Sequence, residues 1–437
     1  MGSEMRKWSV RFLAVMGALL LLAFTIDQVW TSALAHELEQ RIEELRAAGE
    51  PVDFESLAGP PMPDDQNAAP LLIRAYKWYE ETDECWIEKS SDDWGDERLG
   101  FEPAVIWENV PVDEWSDQDW RATRGYVKEC APFFELVEEA AARPHCRFDD
   151  PHGWPRIFVA APLGRAFRAR ALMEAGEPGG SSKAARTAKV LMSTGKWRGP
   201  RIALTYLVGL VVEEGGVDIV REVAGRPGFD AHAARTILDG QLRRLAESAE
   251  LADALRGERA YFLEVLREPM EGSLEGSFGV DWPTRRHAHK DASRYLDMMG
   301  STIRAVLDGD QETVDRVLER ARASDSAFPL TRLTPILIGN LQFSSTRHEA
   351  VGNLARVALA VLEAKQETGV WPPDLSLIHA RFEEGMPLDP WTNAPFVSER
   401  TKTGLRLAAS PPDPEGRLYP MESDLEDHIL VWNLRDG

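Results

Sequence analysis

The sequence predicts a mainly α-helical protein: an irregular α-helical array with an N-terminal membrane helix and a small C-terminal α+β module. Three observations carry that expectation. An uncharged apolar stretch from Phe12 to Ile26 follows Arg6, Lys7 and Arg11. A long middle region repeats apolar residues at helical spacing, and beyond Pro395 the spacing shifts to the two-residue alternation of strands at Leu405, Leu407 and Ala409.

The N-terminal segment comes first. Trp8 and Trp30 stand near the two ends of the apolar stretch, as interfacial aromatics do, and the interval between them meets the ~20 residues a span requires. Positive residues on its N-terminal side place the rest of the chain outside the cytoplasm. The expectation is therefore a single-pass protein of the bacterial cytoplasmic membrane, its bulk facing the periplasm or exterior. A cleaved signal peptide is the alternative, because Ala33 and Ala35 make an A-x-A site. The strong helix formers from Ser32 to Ala48 favour a retained anchor, and a buried core helix is a third reading.

The remaining organisation follows in order. Residues 1–35 are the anchor or signal segment, 36–63 a helical stalk and linker, 64–345 an α-helical body, and 346–437 the C-terminal module. Gly49 to Pro70 is broken by Pro, Gly, Asp and Asn. Ser116 with Asp119 reads as a capping box, and Pro132 is expected to kink the helix that follows. Ile202 to Val212 is apolar on every side and reads as a central buried helix ending near Gly215 and Gly216. Gly225 closes a helix, Asp230 caps the next, and Leu238, Leu242, Leu245, Ala249 and Ala252 form its stripe. A last long helix starts at Thr346 and stops at Gly369. No fixed repeat period supports a regular solenoid.

Composition excludes some functions. With 50 Lys and Arg against 72 Asp and Glu, the net charge of -22 repels nucleic acid, and no basic tract offsets it. The three cysteines, Cys85, Cys130 and Cys146, form no CxxC pair and read as buried small hydrophobes, with one disulfide as the alternative in an oxidising compartment. Searches for G-x-S-x-G, H-E-x-x-H, a P-loop and G-x-G-x-x-G all fail, which leaves no catalytic residue to name.

Several clusters carry chemistry on paper. His145, Asp149 and His152, with Cys146 and Asp150, place nitrogen and oxygen donors in one loop that suits zinc; the plainer reading is a solvated loop capping the helix that begins near Pro155. His287, His289 and Asp291 read as a surface cluster, because residues two apart on a helix face different ways. Glu258 and Arg259 read as a buried ion pair or as a catalytic acid with its partner. Of the 14 tryptophans, Trp78, Trp86, Trp94, Trp107, Trp115 and Trp120 gather early in the body, as core residues or as the lining of a peptide or sugar groove.

The last fifth of the chain carries a resemblance. Gly369, Trp371 and Pro372, then Leu388-Asp389-Pro390-Trp391, Pro395-Phe396 and a closing Asp427, Ile429, Trp432 and Asn433 occur in this order after a long helix. In this it resembles the C-terminal globular part of the major pseudopilins of bacterial type II secretion. The resemblance implies a small antiparallel sheet packed on a helix, with Asp389-Pro390 setting a turn. It also implies calcium as a cofactor, held in an acidic loop by Asp413, Glu422, Asp424 and Asp427, with Glu415 alongside. Arg417-Leu418-Tyr419-Pro420 replaces the double glycine of that loop, and the N-terminus lacks the glycine and glutamate of pilin processing. The sequence thus predicts no cleavage by a prepilin peptidase.

The body from Asp64 to Leu330 is similar to uncharacterised bacterial membrane-anchored helical proteins that pair such a body with this module. Arg143-Pro144-His145-Cys146-Arg147-Phe148 and Leu255-Arg256-Gly257-Glu258-Arg259-Ala260 carry that similarity. The function expected is a binding or scaffolding protein of the cell envelope with a protein partner. A metal-dependent cell-envelope hydrolase and a component of a secretion pseudopilus are the alternatives.

Overall fold

The computed structural model describes residues 2–58, 62–93, 112–147, 155–195, 202–245, 249–265, 285–323, 329–402, 404–409 and 431–435. Within them the protein is mainly helical, with one three-stranded antiparallel sheet near the C-terminus. The chain divides into two compact units, each assembled from separated stretches. Unit 1 takes residues 1–59 and 252–339; unit 2 takes 60–251 and 340–437.

In unit 1, α1 (Gly2–Ala47) is one uninterrupted helix. Its apolar part is long enough to cross a membrane, and Leu19 to Leu22, Phe24, Val29 and Trp30 stand exposed along it. The same helix then enters the unit. Leu38 is buried, and Arg41 pairs with Asp297 at 2.7 Å and donates to the Ser293 carbonyl of α11 (Arg285–Leu307). Gly49, in the left-handed region at φ 75°, turns the chain away, and Val52 is buried beyond it. The short α2 (Phe54–Ala58) follows, and α10 (Ala249–Val265) and α12 (Gln311–Ala323) complete the packing around Tyr295, Met299 and Leu318.

Unit 2 is built from α3 (Ala69–Asp93), α4 (Asp117–Glu129), α5 (Ala131–Ala142), α6 (Pro155–Ala175), α7 (Gly180–Gly195), α8 (Ala203–Ala224) and α9 (Ala231–Arg244). The long α13 (Pro329–Thr368) contributes its residues from Asn340 onward. Local signals set several helix ends. The Ser116–Asp119 capping box is formed, Asp230 accepts from the Ala233 amide at 2.9 Å, and Gly225 caps α8. Phe133, Phe134 and Phe167 make the aromatic centre of the core, with ring centroids 5.3 to 6.4 Å apart.

Four expectations are corrected. Pro132 does not kink a helix; it sits in the first turn of α5, where a missing N–H costs nothing, and α4 has already ended at Glu129. The apolar helix does not stop at Gly215 and Gly216 but runs on to Ala224, because Gly216 is a packing glycine: a Cβ there would lie 3.0 Å from the Ala188 carbonyl of α7. Nor is it buried all round, since Leu204 and Val211 are exposed. The last helix begins at Pro329 rather than Thr346, and it carries Pro335 within it.

The C-terminal module packs on α13. Strands β1 (Val397–Thr401), β2 (Gly404–Ala408) and β3 (Val431–Arg435) pair in that order, with Leu407 opposite Ser398 and Trp432. Leu405, Leu407, Trp432 and Leu434 face the core of unit 2. The buried Asp389 carboxylate accepts from the Trp391 amide at 3.0 Å, and the Asp389 carbonyl accepts from Asn393, which takes φ 52°. Asn353 of α13 donates to the Leu388 carbonyl, and Trp391 stacks on Phe343 of the same helix at 6.4 Å. Lys365 lies over the Trp371 ring at 4.6 Å.

Candidate functional site

Of the sequence-predicted metal residues, Asp413, Glu422, Asp424, Asp427, Asp149 and His152 lie outside the described residues. His145 is described, and its surroundings explain much of the Arg143–Arg147 segment. The Ala68 amide donates to the His145 carbonyl at 2.8 Å, and the His145 amide to Gln66. Asn67 closes the clasp from both sides, its amide group donating to the Arg147 carbonyl at 2.7 Å and its oxygen accepting from the Arg147 amide. Arg143 donates to the Asn67 carbonyl at 2.7 Å. The His145 side chain is exposed and Cys146 packs beside Ala68 and Ala140. The segment thus ties the entry of α3 to the exit of α5. Among the described residues, no group of three or more His, Cys, Asp or Glu gathers in a form able to hold a metal.

The other sequence candidates find definite places. Asp291 is not a surface residue: it is fully buried and accepts from both the amide and the hydroxyl of Thr331, at 3.0 and 2.7 Å. His289 is buried too, because α11 is covered on more than one side. Arg259 takes its ion pair from Glu50 rather than from its neighbour Glu258, whose carbonyl accepts from the Tyr295 hydroxyl at 3.2 Å. Burial pushes the Tyr295 phenol well above its ordinary range. Trp115 and Trp120 pack on one another at 4.8 Å, and Arg226 lies over the Trp120 ring. Cys130 is buried as a small core residue; the Cys85 side chain lies outside the described residues.

Among the described residues, the densest charged constellation is one that sequence reasoning missed. Glu213 of α8, 0% exposed, holds His348 of α13 through Nε2 at 2.8 Å, and Arg244 of α9 reaches the other Glu213 oxygen. Next to it Glu214 pairs with Arg347 and lies 3.6 Å from His348 Nδ1, an ion-pair distance too long for a hydrogen bond. Arg244 also lies 3.7 Å from Glu250. Gln241 links the cluster to Ser193 of α7 at 3.0 Å. Gly195 makes room for it, since a Cβ there would collide with the Glu213 side chain and lie 2.7 Å from the Gly209 carbonyl. Burial alone would lower the His348 pKa, but the two glutamates outweigh it and hold the imidazole above its ordinary value.

A second centre ties α13 to α9. The Glu363 carboxylate meets Arg235 at 2.8 Å, Arg381 at 2.9 Å and the His232 ring. Desolvation would raise this carboxyl, yet the three partners hold it below the ordinary carboxylate range. In both centres the cations come from helices far apart in sequence, so no local pattern announces them. His348 is 2% exposed, which gives a substrate no approach to its ring. Chemically, the arrangement holds helices in register rather than offering a reactive group. Compared with known proteins, the chain matches no family model, no curated protein and no solved structure.

Proposed function

We propose that the chain is a single-pass protein of the bacterial cytoplasmic membrane whose two units, outside the cytoplasm, bind or scaffold a protein partner of the cell envelope. The observation that carries this reading is α1. One helix is exposed and apolar from Leu19 to Trp30, then buries Leu38 and pairs Arg41 inside unit 1, so the anchor is part of a folded unit. A peptidase binds its substrate extended, whereas Ala33 and Ala35 lie within an unbroken helix, five and three residues before the buried Leu38. On this reading the pseudopilin-like module is a component of unit 2, held by Asn353 and Phe343, and not a polymerising subunit.

The test is fractionation of cells expressing the full chain. Retention in the membrane pellet after alkaline carbonate, with digestion of the bulk of the chain by protease added to spheroplasts, is expected. Release of a soluble product beginning after Ala35, or protection of the bulk from added protease, would sink the reading.

A further inference from the structure

We infer that Glu213 and Glu214 of α8 and Arg347 and His348 of α13 form a charge clasp that closes only while His348 carries a proton, so that this junction of unit 2 loosens as pH rises. Two adjacent acids on one helix face two adjacent cations on another. Each His348 ring nitrogen lies against a different carboxylate, Nε2 at 2.8 Å from Glu213 and Nδ1 at 3.6 Å from Glu214. A neutral imidazole carries one N–H and one lone pair, so one of its nitrogens would then present a lone pair to a carboxylate, in a site shut off from water. Only the imidazolium suits both sides.

The surrounding charges point the same way. Glu213 and Glu214 of α8 face His348; Arg244 of α9 binds Glu213 and lies 3.7 Å from Glu250 of α10, Arg347 binds Glu214 from the helix of His348 itself, where Glu349 follows, and Asp218, one turn on in α8, is paired with Arg221. At this junction α7 brings the uncharged Ser193 and Gly195. Glu213, fully buried, has one oxygen on Arg244 and the other on His348, and Glu214 lies between Arg347 and the imidazole. Loss of the histidine proton leaves a buried carboxylate with one fewer partner, the situation that breaks buried ion networks.

The sign follows from linkage. A histidine pKa raised by folding contributes stability in full below its unfolded value near 6.5, and that contribution is lost as pH climbs through the folded value. The clasp is therefore tight in mild acid and opens on the alkaline side. The inference concerns unit 2 itself and stands whether or not the chain proves to be an envelope scaffold.

The experiment uses the full chain in detergent micelles, melted at pH values from 6 to 9 and compared with His348→Gln and Glu214→Gln. The wild type is expected to lose about 2–4 °C of Tm across this range relative to either variant. Glu214→Gln serves because it keeps the side-chain shape at the rim of the cluster should His348→Gln fail to fold. In parallel, the ring-nitrogen shifts of a histidine-labelled wild-type chain should show one imidazolium persisting at pH 7. Equal pH slopes in wild type and Glu214→Gln, or nine neutral histidines at pH 7, would overturn the inference.

Discussion

A methyl group added at Gly195 has nowhere to go. It would meet the Glu213 side chain on one side and the Gly209 carbonyl at 2.7 Å on the other, and a backbone atom does not give way as a flexible side chain does. Gly195→Ala is therefore expected to destabilise unit 2 by about 1–3 kcal/mol, read as a lower urea midpoint. Asp389 acts at the same scale. Its carboxylate is fully buried and holds the Trp391 amide, so Asp389→Ala strands that donor and should cost about 1–3 kcal/mol, with loss of the near-UV signal of Trp391 against Phe343. Single residues like these were half legible. Asp389-Pro390 announced a turn, whereas nothing local told that Glu213 faces His348, because the partners lie 135 residues apart.

Helices begin and end for reasons that sit within a turn of their ends, so element boundaries were where the sequence spoke most clearly. Ser116, Asp230, Gly225 and Gly369 each did what its chemistry suggests. Asp230→Ala should thus cost about 1 kcal/mol and fray the start of α9, seen as faster amide exchange at Ala233. Two of the misreadings share one cause: a residue with two uses. Gly216 can stop a helix or let another come close, and Pro132 can break a helix or start one. Which use applies is set by a neighbouring helix, information that periodicity along one segment does not contain. The same holds for Asp291, read as surface from its spacing, but buried because several elements cover α11.

At the level of the whole molecule, α1 belongs as much to unit 1 as to any membrane. A chain begun at His36 retains Leu38, Arg41 and Glu50; a chain begun at Pro51 lacks all three and leaves the buried Arg259 without its Glu50 partner. The longer fragment is expected to resist limited proteolysis within the helices of both units. In the shorter one residues 252–339 should become sensitive while the Phe133–Phe167 core of unit 2 persists. Equal resistance of both fragments would show that the stalk is dispensable to unit 1.

An unbroken helix is also a lever. Ala47 lies about 25 Å along the axis beyond Trp30, with no Gly or Pro between them to act as a hinge. Once the apolar part spans a bilayer, a change in its tilt of about 20° would swing the far end sideways by about 9 Å, and Leu38 and Arg41 would carry unit 1 along. On the proposed membrane reading, a hydrophobic mismatch that changes the tilt would act as a mechanical input to unit 1.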